Sequence, residues 1–389
     1  MTVVAVGLLV VAAVVLLVRP AGVGPWVGPV VCAVVGVAVT AVPFDAAGDA
    51  LGSLRDPVLF LALAVPLAAA LDGLGVFEAL AALVDGGRHL VLWLWLFGAA
   101  VTAVCNLDAA VVLLTPLYAR IARRNALPLE PLVVQPAMLA CLASHPLPVS
   151  NLTNLIVAER FDLGATDFVR HLLPATVVAV AVGWFAMQRV LPAPLPTPSL
   201  DVAPDRGALA RGLPVIAFLL LGFTVGDSLG VPAWIVAGVA LVATVVLGAP
   251  LPDWRRLPWE AAAVALGLGV VVAGAAPHLG LDRLLDGGGA VGRLRALAVG
   301  AVGSDLTNNL PTVLAVAPEL PHRDQVWPLL IGVNAAPALV ITGALSSLLW
   351  RETAAAAGVP MSARRFSSIG VRVGLPALVA AGAVVVLLP

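Results

Sequence analysis

Long apolar runs recur from one end of this chain to the other, and they limit its fold more than any other feature. Stretches of roughly 17–25 residues, the length an α-helix needs to cross a hydrocarbon core, lie at 2–18, 22–43, 57–75, 131–159, 171–192, 213–228, 231–249, 260–278, 328–350 and 368–388. Only 11% of the 389 residues are charged while 61% are hydrophobic, too little polar surface to cover a soluble globule. The expected fold is an all-α polytopic membrane protein. Its first run, Thr2 to Val18, has no charged leader region or small-residue cleavage site and reads as a retained span.

Two further apolar stretches, 90–118 and 295–318, are interrupted by polar residues and read as kinked spans or re-entrant hairpins. The interruptions are "VCNLDAAVVLL" and "SDLTNNLP". A proline-rich segment, 193–212, divides the chain near its middle and reads as a cytoplasmic linker. The halves on either side of it match. Setting Asn106 on Asn308 brings Val111 onto Val313, and setting Thr153 on Ser346 brings Leu152 onto Leu345 and Glu159 onto Glu352. The first half, 1–192, then holds hairpin 90–118 and broken helix 131–160. The second half, 213–389, holds hairpin 295–318 and broken helix 328–352.

Ten crossings and two hairpins give each half an odd number of spans, so the halves form an inverted repeat. All cationic side chains of the Lys/Arg type are arginine, and with ten crossings they divide roughly two to one between the faces. The richer face carries Arg123, Arg124, Arg211, Arg364 and Arg365, together with Arg19, Arg88, Arg255 and Arg256. Arg160, Arg170, Arg293 and Arg323 fall on the other. The positive-inside rule makes the richer face cytoplasmic and puts both termini outside.

Backbone that leaves helical geometry in mid-membrane survives where protein groups or a wet cavity satisfy it. Asn106, Ser150, Asn151, Thr153, Asn154, Thr307, Asn308, Asn309, Ser346 and Ser347 supply such groups. Singly, each is as readily structural glue; four interruptions in two symmetric pairs point to a midplane binding site built by discontinuous helices. Intramembrane acids are costly and mark functional positions. Asp108 and Asp305 lie beside the two tips with no arginine in either, in similar places in the two halves, and are expected to share one cavity as proton carriers or sodium ligands. Asp72, Asp227 and His278 sit at span ends and read as interfacial.

The cysteines, Cys32, Cys105 and Cys141, have no CxxC or Cys/His spacing, which argues against a disulfide framework or a zinc site. Cys105 and Cys141 are soft ligands for a thiophilic solute, although a lone membrane cysteine is commonly a small apolar filler. There is no HExxH, GxSxG or Walker pattern, so nothing suggests an enzyme. No metal, cofactor or nucleic acid is expected.

The stretches "SNLTNLIVAERFDL" at 150–163, "NLDAAVVLLTPL" at 106–117, "LTNNLPTVLAV" at 306–316 and "GALSSLLW" at 343–350 resemble signature segments of the ArsB arsenite permease family, within the ion transporter superfamily. That resemblance implies proton-coupled efflux of arsenite or antimonite, as neutral hydroxides, across the bacterial cytoplasmic membrane by an elevator movement. It also implies a homodimer and, as in some members, a soluble arsenite-stimulated ATPase as partners. Within the same fold, a sodium/proton antiporter or a dicarboxylate carrier is the alternative. A non-transporting membrane scaffold is the alternative of another class, favoured if the broken stretches are plain kinked helices.

Overall fold

The computed structural model describes residues 2–18, 23–82, 89–192, 203–223, 229–251 and 259–387. Arg19, Arg88, Arg255, Arg256, Asp227 and the 193–202 part of the linker lie outside the described residues. Among the described residues every regular element is helical. The first half runs α1 (Thr2–Val18), α2 (Val27–Ala38), α3 (Phe44–Ser53), α4 (Arg55–Gly73), α5 (Val76–Ala82), α6 (Leu90–Cys105), α7 (Leu107–Arg124), α8 (Leu129–Val133), α9 (Gln135–Leu142), α10 (Leu152–Phe161) and α11 (Ala165–Met187). The second runs α12 (Arg206–Leu221), α13 (Ala233–Val246), α14 (Trp259–Ala275), α15 (Leu281–Leu285), α16 (Gly289–Thr307), α17 (Asn309–Val316), α18 (Val326–Ala335), α19 (Leu345–Ala356) and α20 (Ala363–Leu387).

Four segments, Phe44–Gly73, Ala165–Met187, Trp259–His278 and Ala363–Leu387, are long and apolar enough to cross a bilayer, and shorter apolar helices accompany them. Large apolar side chains stand exposed around the outside, among them Val10, Val177, Val242, Val302 and Val379. In water such a surface would drive association; in lipid it carries no penalty. Helix α12 starts earlier than the apolar run at 213–228, inside the stretch read as linker. The cause is local: the Asp205 carboxylate caps it, accepting from the backbone N–H of Gly207 (2.8 Å) and Ala208 (3.1 Å).

Both polar-interrupted stretches turn back on themselves. The Tyr118 hydroxyl donates to the carbonyl of Leu94, and these two residues lie equally far from Asn106 on either side. A continuous helix would hold them about 36 Å apart. Gly98, on α6, likewise faces Leu114 and Tyr118 of α7. In the second half Gly303 abuts the Thr312 side chain across the turn at Asn308.

The two halves interlock. Helix α19 packs on α7 and α10 on α17, so each broken helix lies against the hairpin of the other half. Free carbonyls at a helix C-terminus attract cations, and both broken helices are closed that way by the opposite half. Arg323 donates to the carbonyl of Phe161 at the end of α10, and Arg123 to that of Ala357 just past α19. Helices α16 and α18 approach to backbone contact through Gly300 and Gly332, where an added Cβ would meet the Leu329 carbonyl oxygen at 2.9 Å and that of Leu297 at 2.3 Å. This is the small-residue packing by which membrane helices associate.

Candidate binding site at the two helix breaks

Each hairpin turns on an asparagine held where L-residues rarely go. Asn106 has φ 79° and ψ 146°, and Asn308 has φ 107° and ψ 151°. This region is almost confined to glycine and costs on the order of 1–3 kcal/mol. The side chains offset that strain by bonds made twice over. The Asn106 Oδ1 accepts from the N–H of Asp108 (2.9 Å), and that of Asn308 from Leu310 (3.3 Å), each capping the helix that follows. Asn106 Nδ2 donates to the Val149 carbonyl (3.3 Å) and Asn308 Nδ2 to the Thr342 carbonyl (3.0 Å). The alignment of Thr153 with Ser346 also sets Val149 on Thr342. Both tips are therefore tied to the corresponding point of the broken helix in their own half.

Beyond the tips, the halves divide their work. In the first break, between α9 and α10, Asn151, Thr153 and Asn154 are spent on protein partners. The Asn334 Oδ1, from α18, accepts from Asn151 Nδ2 (2.9 Å) and Thr153 Oγ1 (2.6 Å), and its Nδ2 donates to Asn154 Oδ1 (2.7 Å). Asn154 Nδ2 donates to the carbonyls of Ser144 and Leu147, both at 2.9 Å. The Ser150 hydroxyl donates to the Ala103 carbonyl at 2.6 Å. All of Asn151, Thr153, Asn154 and Asn334 are buried. This set bolts the first broken helix to the second.

The second break, between α18 and α19, holds polar groups with capacity left. Asp305 Oδ1 and the hydroxyls of Ser346 and Ser347 are buried with no hydrogen-bond partner. Cys141, from α9, lies beside Ser347 and within electrostatic reach of Asp305. A Cβ on Gly343 would stand 3.1 Å from Asp305 Oδ1. When the two halves are aligned, Asp305 falls on Ala103 and Gly343 on Ser150. The first half pairs a small helix residue with a serine, and the second pairs an acid with a glycine that leaves it room.

The two acids therefore do not occupy similar places, as their closeness to the tips suggests. Asp108 follows its tip, and its repeat counterpart is Leu310. It sits in the first turn of α7, where the helix dipole favours a negative charge. Asp305 precedes its tip in the last turn of α16, where the dipole opposes one. Of the other expected residues, Thr307 is engaged with the Gly303 carbonyl (2.9 Å) and Thr312 (3.0 Å). Asn309 is buried at the start of α17 and donates its backbone N–H to the Gly343 carbonyl (2.8 Å). Cys105 faces an apolar crevice with Ala64, Leu67 and Ala237, apart from Cys141.

Sequence reading passed over Asn334 and the pair Ser144 and His145. Asn334 is a single amide in an apolar run, and its repeat counterpart is Cys141; that pairing was the available signal. His145, in the first break, is fully buried with its ring against the Leu142 backbone, and the Ser144 hydroxyl beside it is unpartnered. A cavity of about 480 Å³ between α4, α10 and the start of α13 is lined in part by Pro148 and Val149, next to the first tip. A second, of about 600 Å³, flanks α10 on its α17 side, and Glu159 borders both.

Comparison with known proteins places this arrangement. A family model described as citrate transporter matches residues 1–341. The arsenical pump membrane protein of Yersinia enterocolitica is 29% identical over 330 residues, spanning 75% of this chain and 76% of that protein. That of Escherichia coli (strain K12) is 29% identical over 327 residues with the same coverage. A shorter match, 28% over 141 residues, is to the silicon efflux transporter LSI3 of Oryza sativa subsp. japonica, spanning 35% of this chain and 29% of that protein.

Proposed function

The chain belongs to the citrate transporter family and is a membrane transporter rather than an enzyme, and on that basis we propose that it exports trivalent arsenic or antimony as a neutral hydroxide. The observation that carries this reading is the second break. Asp305, Ser346 and Ser347 present one carboxylate and two hydroxyls with unused capacity, and no arginine lies in either break or tip stretch. A neutral hydroxide donates its O–H groups to the carboxylate and accepts from the serines. A citrate anion would meet Asp305 with like charge and find no guanidinium to hold it. The names of the relatives favour arsenic over citrate as well.

The closing experiment compares the two substrates in everted membrane vesicles. Arsenite is expected to accumulate when a pH gradient is imposed, undiminished by excess citrate, and expression is expected to confer arsenite resistance on a sensitive bacterial host. Citrate uptake without arsenite uptake would overturn the assignment.

Asp305 is the coupling group in this reading, carrying a proton in exchange for substrate, or ligating sodium. The twice-made tip bonds support two inverted repeats, 1–192 and 213–389 with the 193–212 linker cytoplasmic. The bolt through Asn334, with the reciprocal arginine caps, supports hairpins and broken helices moving as one body in an elevator step. The orientation has both termini outside the bacterial cytoplasmic membrane. Single cysteines at Arg123 and Arg211 are expected to label from the cytoplasm, and at Gly287 and Arg323 from outside. Labelling of positions 123 and 323 from the same face would end the inverted-repeat reading.

A further inference from the structure

A cleft distant from the helix breaks has the composition of a lipid-headgroup site. It encloses about 290 Å³ where α11 begins, α20 ends and the turn Arg323–Gln325 leads into α18. Since α11 and α20 are both long enough to span a bilayer, this corner lies at the level where membrane helices meet the headgroups. Its wall is aromatic: the His171 ring stacks on Trp327 with centroids 4.5 Å apart and planes 8° apart, and Phe168 meets Trp327 edge-on. Tryptophan is the residue that anchors helices at that depth. Part of its lining is apolar, with Val326 and Val385 both buried.

The charges are mixed and incompletely used. Arg293, on α16, stands 3.8 Å from Asp324, with only 12% of its side chain exposed, and its Nε is buried with no partner. A buried donor of a charged group left without an acceptor calls for an explanation, such as a water or ligand oxygen that completes it. Arg323, donating to Phe161, is itself exposed and keeps other N–H groups for a ligand. Facing them are two carboxylates, Asp324 and Asp167; the latter accepts from the N–H of Gly164 at 2.9 Å. Two guanidiniums against two carboxylates, beside one imidazole, suit neither a simple anion nor a simple cation. They suit a zwitterion whose phosphate meets the arginines and whose ammonium meets an aspartate.

We infer that this cleft binds the headgroup of a phosphatidylethanolamine, with Arg293 and Arg323 on its phosphate, Asp324 on its amine, and an acyl chain along Val326 and Val385. Phosphatidylcholine offers the same phosphate but no N–H donors for the aspartate, and phosphatidylglycerol lacks the cation altogether.

The test is native mass spectrometry of the full chain extracted into detergent and supplied with equimolar phosphatidylethanolamine, phosphatidylglycerol and phosphatidylcholine. The wild type is expected to retain phosphatidylethanolamine selectively. Arg293→Gln is expected to lower that retention roughly tenfold, the loss of one charge-assisted bond, and Arg206→Gln, on a distant helix end, to leave it unchanged. Should Arg293→Gln fail to fold, Asp324→Asn serves instead and is expected to erase the preference over phosphatidylcholine. Equal retention of the three lipids, or full retention by both cleft variants, would overturn the assignment. So would thermal stabilisation by inorganic phosphate matching that by the lipid, since a free anion would then suffice.

Discussion

Asp305→Asn is expected to uncouple transport: vesicles carrying it should exchange arsenite down its own gradient but no longer accumulate it when a pH gradient is imposed. Asparagine preserves shape and hydrogen bonding yet cannot titrate, so the comparison isolates the proton. Asp305 is singled out over Asp108 by position. It ends a helix whose dipole opposes its charge, its Oδ1 is buried without a partner, and Gly343 leaves the space it occupies. Asp108 opens a helix whose dipole supports it, so Asp108→Asn should retain most of the pH-driven accumulation. Uphill transport by Asp305→Asn from a pH gradient alone would remove it as the carrier. Accumulation by the wild type that follows a sodium gradient and ignores pH would assign it to sodium instead.

Asn334→Leu should both destabilise the protein and abolish transport, because it leaves Asn151 Nδ2, Thr153 Oγ1 and Asn154 Oδ1 without their buried partner. Three interhelical bonds at the membrane average of about 0.6 kcal/mol sum to about 2 kcal/mol. Groups left unsatisfied cost more, about 1–3 kcal/mol each. A fall in the midpoint of thermal unfolding in detergent measures it. Ser346→Ala and Ser347→Ala provide the contrast, since the Ser346 hydroxyl has no partner and that of Ser347 meets only the Cys141 thiol. These two should reduce arsenite flux and leave the unfolding midpoint in place. The division into a bolt and a site fails if Asn334→Leu unfolds at the wild-type temperature, or if the serine variants unfold as early as it does.

How much of this was legible in the sequence differs from residue to residue. Asn106 and Asn308 were readable as tips because a polar residue in a spanning run has to answer for itself: lipid supplies no hydrogen bonds, so an amide there signals broken backbone. The same logic exposed Ser150 to Asn154 and Ser346. It overlooked Asn334, because a single amide does not interrupt an apolar run enough to be noticed. Its three partners come from a helix that is remote in sequence.

The length of the apolar runs and the composition by themselves settled that the chain is helical and membrane-bound, because a helix needs about 20 apolar residues to cross the hydrocarbon core. Both tip asparagines were readable for a similar reason, since each stands where the backbone turns. Tertiary structure alone decided which polar groups are consumed and which remain open. Asn151, Thr153 and Asn154 look like ligands in one dimension and prove to be spoken for by Asn334, while Asp305 Oδ1 has no partner and lies against Gly343, the position aligned with Ser150. Hydrogen-bond capacity is exhausted by neighbours in space, and those neighbours are brought together only by the packing of the two halves.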